Sequence, residues 1–179
     1  MKASSRDELI GGIDATNLRA GGGLTMLKAL IDNTKTSDLG FKKIYLWGGK
    51  KTLASISDQD WLIKKKPSML NKNFIFRTVW QIFILPKAAR ELDCNVLFIP
   101  GGSYFGSFRP IVSMSTNILP FEIREIKRFG FSINTLRFLL LRFTQSHTFR
   151  NSDGLIFLSS YAKEKILSIV KNVKCQTKI

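Results

Sequence analysis

The sequence predicts a single α/β domain built on a parallel sheet with helices on both faces. Three observations carry that expectation. Short apolar runs of strand length recur along the chain and close in Gly, Pro, Ser, Thr or Asn. Between them lie longer stretches with apolar residues at helical spacing, and strands alternating with helices are the pattern of parallel strands joined by crossovers. Finally, 179 residues, 44% of them hydrophobic, suffice for one core, and no repeat, low-complexity tract or linker divides them.

Taken in order, Leu9 to Ala15 reads as a first strand, followed at once by Arg19 to Gly23, RAGGG. Leu24 to Ile31 then places apolar residues at 24, 27, 30 and 31, the spacing of a helix buried on one face. Lys42 to Trp47 is a second strand, Lys51 to Ile56 a helical turn, and Trp61 to Ile63 a short third strand flanked by lysines. Phe74 to Leu92 has enough apolar coverage for a helix packed on a sheet, with Pro86 expected to kink or divide it. Asn95 to Ile99 and Pro110 to Met114 are buried strands that run into polar loops. Ile133 to Phe149 is a helix with Leu136, Leu139, Leu140 and Phe143 on one face and Arg137, Arg142 and Arg150 left for solvent or an anion. Gly154 to Leu158 is the last strand expected, and Ser159 and Ser160 cap a helix over Tyr161 to Val170.

The formal net charge of +15 constrains partners rather than fold: nucleic acid, an anionic membrane surface or phosphorylated small molecules all fit it. Basic clusters occur at Lys42, Lys43, Lys50 and Lys51, at Lys64 to Lys66 with Lys72, and at Arg124, Lys127 and Arg128, each also readable as a solvated face. The longest apolar run in the late helix, Phe138 to Leu141, falls far short of the roughly 20 residues a membrane span requires. The N-terminus has acidic residues at 7 and 8 and no apolar stretch of signal-peptide length, so a cytoplasmic chain is expected. Cys94 and Cys175, with one His in the chain, suggest neither a disulfide framework nor a metal site, and the thiols are expected to be free.

In an open parallel sheet, ligands sit beyond the carboxyl ends of the strands, which puts Gly21 to Gly23, Gly101 to Ser107 and Ser115 to Glu122 on one edge. Three glycines opening a helix allow a ligand close to the backbone, and the free N–H groups there favour an anion such as phosphate. RAGGGLT is neither a G-x-G-x-x-G fingerprint nor a P-loop, so dehydrogenase and NTPase readings do not follow, and a tight turn that binds nothing stays open.

The segments IDATNLRAGGGLTMLKAL (13 to 30), NVLFIPGG (95 to 102), STNILPFE (115 to 122) and DGLIFLSSYAKEKI (153 to 166), in this order and spacing, resemble the N-terminal half of a family 4 glycosyltransferase of the GT-B fold. The resemblance runs from the first strand to the helix after Ser160. It implies a Rossmann-like domain and a retaining transfer of sugar from a nucleotide-diphospho sugar, with no further cofactor and no metal. By the same resemblance, Gly21, Gly22 and Gly23 face the donor diphosphate, and Arg19, Ser103, Tyr104, Thr116, Asn117, Pro120, Phe121, Glu122 and Ser159 belong to the acceptor side of the cleft. Thr116 stands where many relatives have a His, and Ser159 doubles as a helix cap. Family members carry a second Rossmann-like domain with most donor contacts and a pair of glutamates. Residues 1 to 179 match only the acceptor-side domain, so a truncated product, a split enzyme whose C-terminal half is a separate partner chain, or an isolated domain is expected, inactive alone. The surface closing on that half is expected to expose Tyr104, Phe105, Phe108, Ile118 and Phe121.

The partners so implied are a nucleotide sugar and a glycan or lipid-linked acceptor, in cell-surface polysaccharide synthesis, with the basic surface resting on the inner membrane face. A noncatalytic remnant is the alternative reading. A nucleic-acid-binding module is supported by charge alone, since the aromatics fall at core spacing rather than among Lys and Arg as a stacking platform.

Overall fold

The computed structural model describes residues 9–35 and 40–179. The strands are β1 (Ile10–Asp14), β2 (Lys43–Trp47), β3 (Leu62–Lys65), β4 (Val96–Ile99), β5 (Ile111–Ser115), β6 (Gly154–Phe157) and β7 (Gln176–Lys178). They form one seven-stranded sheet in the order β3-β2-β1-β4-β5-β6-β7. Every pair is parallel, as the alternating pattern predicts. This is a Rossmann-like α/β domain. Order reverses at β1 and β4, so the loops after these two strands flank the crevice where such sheets hold ligands.

Alternation along the strands separates the two faces. Ile44 and Leu46 of β2 point to a core made with α1 (Gly22–Asn33) and α2 (Lys50–Ala54), through Leu27, Ile31 and Leu53. Tyr45 and Trp47, one residue out of phase, point to the opposite core with Trp80, Leu85, Ala89, Leu97 and Ile99. A third cluster, Phe121, Phe149, Leu155, Phe157, Ile166 and Val170, lies under the late helices. Gly12 of β1 has no room for a side chain: a Cβ there would stand 2.8 Å from Leu97 and 2.9 Å from Trp47.

The remaining helices are α3 (Phe74–Val79), α4 (Leu85–Glu91), α5 (Ile123–Arg128), α6 (Ile133–Arg150) and α7 (Ser160–Ile169). The long helix expected over Phe74 to Leu92 is divided, but ahead of Pro86: residues Trp80–Ile84 widen into a π-helical turn in which the Leu85 N–H reaches the Trp80 carbonyl. Pro86 has no N–H to donate and its ring would crowd the Ile82 carbonyl in a regular helix, which the wider turn relieves. Trp80, Leu85 and Ala89 are buried as expected, whereas Phe74, Ile75, Val79 and Phe83 are exposed. Strand β3 lies two residues further into the lysines than expected. It is an edge strand, where Lys is at home, and the largely covered Lys64 is held by Asp58 at 2.7 Å. Strand β7 and helix α5 were not expected from the apolar pattern, since both are short and mostly polar.

The largest departure is α6. Gln145, Ser146, Thr148 and Phe149 near its end are buried, while the stripe of Leu136, Leu139, Leu140 and Phe143 faces outward at 50% exposure or more. Among the described residues, no helix is long and apolar enough to cross a membrane.

Candidate functional site at the carboxyl edge of the sheet

The edge is built from the end of β1 outward. Asp14 is the last residue of β1 and is buried; its carboxylate accepts hydrogen bonds from the Thr16 N–H at 2.9 Å and from Gln81 Nε2 at 2.5 Å. Burial lifts the Asp14 carboxyl above the ordinary aspartate range, against the pull of these donors. Gln81 also donates to the Ser103 carbonyl at 3.1 Å, and Ser103 Oγ lies 3.1 Å from Thr144 Oγ1 of α6. A polar chain thus links β1, the π turn, the loop after β4 and α6.

The glycine loop stands beside it. Gly21 adopts φ 80° and ψ −171°, a conformation open essentially to glycine alone, and offers no side chain to cap α1. A Cβ on Gly23 would meet Leu18 at 3.0 Å and Thr116 Oγ1 at 3.2 Å. Gly22 has neither constraint: its φ is ordinary for any residue and a Cβ would meet nothing within 4 Å. The surface beside Gly22 is therefore open at the start of α1. The Thr116 hydroxyl turns toward the Pro100 carbonyl at 3.5 Å, and Gly101 approaches Leu18, so the loops after β1, β4 and β5 do converge.

Two guanidinium groups border this loop. Arg19 is exposed and donates to the Lys72 carbonyl at 3.1 Å. Arg77 of α3 donates to the Thr16 carbonyl at 3.5 Å, and partial burial together with the Arg19 charge makes its proton easier to lose than usual. Among the described residues neither forms an ion pair. Arg77 and Gln81 were not anticipated from the sequence. They arrive from a helix more than 60 positions beyond β1, and nothing local marks them.

Other residues expected at the cleft have different places. Tyr104 is buried; its main chain is clasped by the Thr148 hydroxyl and its own hydroxyl accepts from the Phe108 N–H at 3.2 Å. Burial pushes its phenol up to about 12. Pro120 and Phe121 are buried too, with Phe121 stacked on Phe149 at 6.1 Å between ring centres. The expectation that Tyr104, Phe108 and Phe121 form an exposed apolar closing surface is therefore corrected: the loops fold their aromatic rings inward, into the sheet's cores. Phe105 and Ile118 are half-buried. Asn117 is exposed, and its side chain accepts from the Leu119 N–H at 3.0 Å. Glu122 reaches α7, accepting from the Tyr161 hydroxyl at 2.5 Å and pairing with Lys165 at 3.1 Å. These donors, the Tyr161 hydroxyl first, hold its carboxyl below the usual range. Ser159 caps α7 by accepting from the Ala162 N–H at 3.2 Å.

A shallow apolar depression between β2, β3 and α4, lined by Trp47, Lys65, Trp80 and Ile84 among others, includes none of the glycine-loop residues. Cys94 and Cys175 are free thiols, and burial pushes the Cys94 thiol up to about 11. Among the described residues no three His, Cys, Asp or Glu side chains gather as a metal site. The chain matches no protein-family model and no curated protein.

Proposed function

We propose that the carboxyl edge of this sheet is the acceptor-side half of a glycosyltransferase cleft that works with a nucleotide-diphospho sugar. The observation that carries the reading is the glycine loop: Gly21 gives α1 no side-chain cap and a Cβ on Gly22 would stand in open space, in a loop whose Thr16 carbonyl accepts from Arg77, at the edge where the loops after β1, β4 and β5 meet. Donors fixed in this way stabilise a departing diphosphate without having to reorganise. The Ser103, Thr116 and Asn117 loops border the same crevice and would align an acceptor hydroxyl. A second domain, in a longer chain or a separate one, supplies the remaining donor contacts, and the acceptor is a glycan or a lipid-linked saccharide at the inner membrane face, which the basic surface suits.

The test is titration of the purified chain with inorganic pyrophosphate and a panel of nucleotide sugars, followed by amide chemical shifts. Shifts should centre on residues 19 to 24 and vanish in Gly22→Val, a change whose Cβ meets nothing within 4 Å. The lone chain should transfer no sugar at a useful rate. Shifts elsewhere, or shifts indifferent to Gly22→Val, would sink the reading.

A further inference from the structure

The outward apolar stripe of α6 continues into the turn that precedes it. Phe131 is 114% exposed, Ile133 77%, Leu136 63% and Phe143 67%. A patch of this kind on a water-facing helix marks an interaction surface. Its rim is basic: Arg124, Lys127, Arg128, Arg137 and Arg142 occur between Ile123 and Phe143, against one acid, Glu125, which is itself paired with Arg128 at 2.8 Å. At 100° per residue, Arg137 and Arg142 flank the stripe on either side.

We propose that the tip formed by the α5–α6 turn and the first half of α6 inserts its apolar side chains into the interface of an anionic lipid bilayer, with the flanking Arg and Lys on the headgroups. This specifies the surface for the membrane partner named above, and it stands or falls without any sugar transfer. Charge selects the occupant. Cations beside outward Phe and Leu complement an anionic surface, whereas a second copy of a chain with net charge +15 would bring two basic rims together. Phe131 is more exposed than in an extended chain, so its ring is free to enter a deformable interface. The helix lies in the interface and does not cross it.

The experiment is cosedimentation of the full chain with vesicles of phosphatidylglycerol and phosphatidylcholine, and with phosphatidylcholine alone. Partitioning onto the anionic vesicles should fall about tenfold or more in Phe131→Ser/Leu136→Ser, as expected for withdrawing two large apolar side chains. It should be unchanged in Phe83→Ser, an aromatic 70% exposed on another helix. A Phe131→Trp variant adds a direct readout, because Trp47, Trp61 and Trp80 are all buried and contribute a constant background. Its emission should shift to the blue on anionic vesicles and be quenched by brominated acyl chains. Adsorption that the double serine variant retains, equal binding to the neutral vesicles, or a blue shift that appears without lipid and grows with protein concentration would each overturn the proposal, the last in favour of a second copy.

Discussion

Helices α1 and α6 leave opposite things unsatisfied. Helix α1 buries Leu27 and Ile31 of its apolar stripe, leaving Leu30 exposed at the rim, but begins at a glycine with no side-chain cap. Helix α6 begins at Ser132, whose hydroxyl accepts from the Thr135 N–H at 3.3 Å, but leaves its apolar stripe in water. A bare helix start suits an anion and a bare apolar stripe suits a lipid or a partner. The two helices therefore mark two different surfaces on one sheet, one polar, the other apolar.

The widest separation between them should come from the stripes. Leu27→Ala is expected to cost about 2–5 kcal/mol, the usual range for emptying a closed core site, while Leu136→Ser should change stability by about 0.5 kcal/mol or less. Urea denaturation of both variants checks this. A Leu136→Ser loss comparable to that of Leu27→Ala would mean that the stripe is covered after all.

The helix starts come next. Gly21→Ala should cost about 1–3 kcal/mol because of its backbone conformation, and Gly22→Ala, one residue on, should be neutral or slightly stabilising. If thermal unfolding shows the two alike, the distinction between a strained and an open glycine is wrong. At α6, Ser132→Ala should cost about 1 kcal/mol through loss of the cap, and a variant as stable as the parent would show that the first half of α6 contributes nothing to folding.

The smallest expected effect is one of pH, at the end of β1. Since the folded chain holds the Asp14 proton more tightly than the unfolded one, the contribution of Asp14 to stability is fully present below the ordinary aspartate pKa and is lost as pH rises from about 4 through the lifted value. Asp14→Asn cannot lose that proton, so its melting temperature should gain on the parent's as pH goes from about 4 to 8. A constant difference across that range would assign Asp14 no linkage.

Strands β1, β2, β4, β5 and β6 and helices α1 and α7 could be read from the sequence because each is closed by local signals, a glycine, a proline or a capping serine, next to a clear apolar period. The stripe of α6 was equally legible, but periodicity reveals that an apolar face exists and says nothing of what covers it. The aromatic rings of the loops after β4 and β5 misled for a related reason: Tyr104 and Phe121 lie in polar stretches, yet Thr148 and Phe149 of α6 draw them inward. At the candidate site the glycine loop and Thr116 were identifiable, whereas Arg77 and Gln81 depend on where a distant, π-widened helix docks.

The place of β1 in the sheet sets a schedule for synthesis. Its second neighbour is β4, and the join is sealed by Asn95, whose side chain accepts from the Ile10 N–H 85 positions away while its own N–H donates back to the Ile10 carbonyl. At roughly 5–20 residues per second, a ribosome needs about 4–17 s to bring Asn95 out after Ile10. Throughout that interval one side of the nascent sheet is an open edge. Gly11 and Gly12 give that waiting edge little to fix its register, so the close fit of Gly11 beneath Ile44 and of Gly12 beneath Trp47 and Leu97 selects the correct pairing only as the sheet is completed.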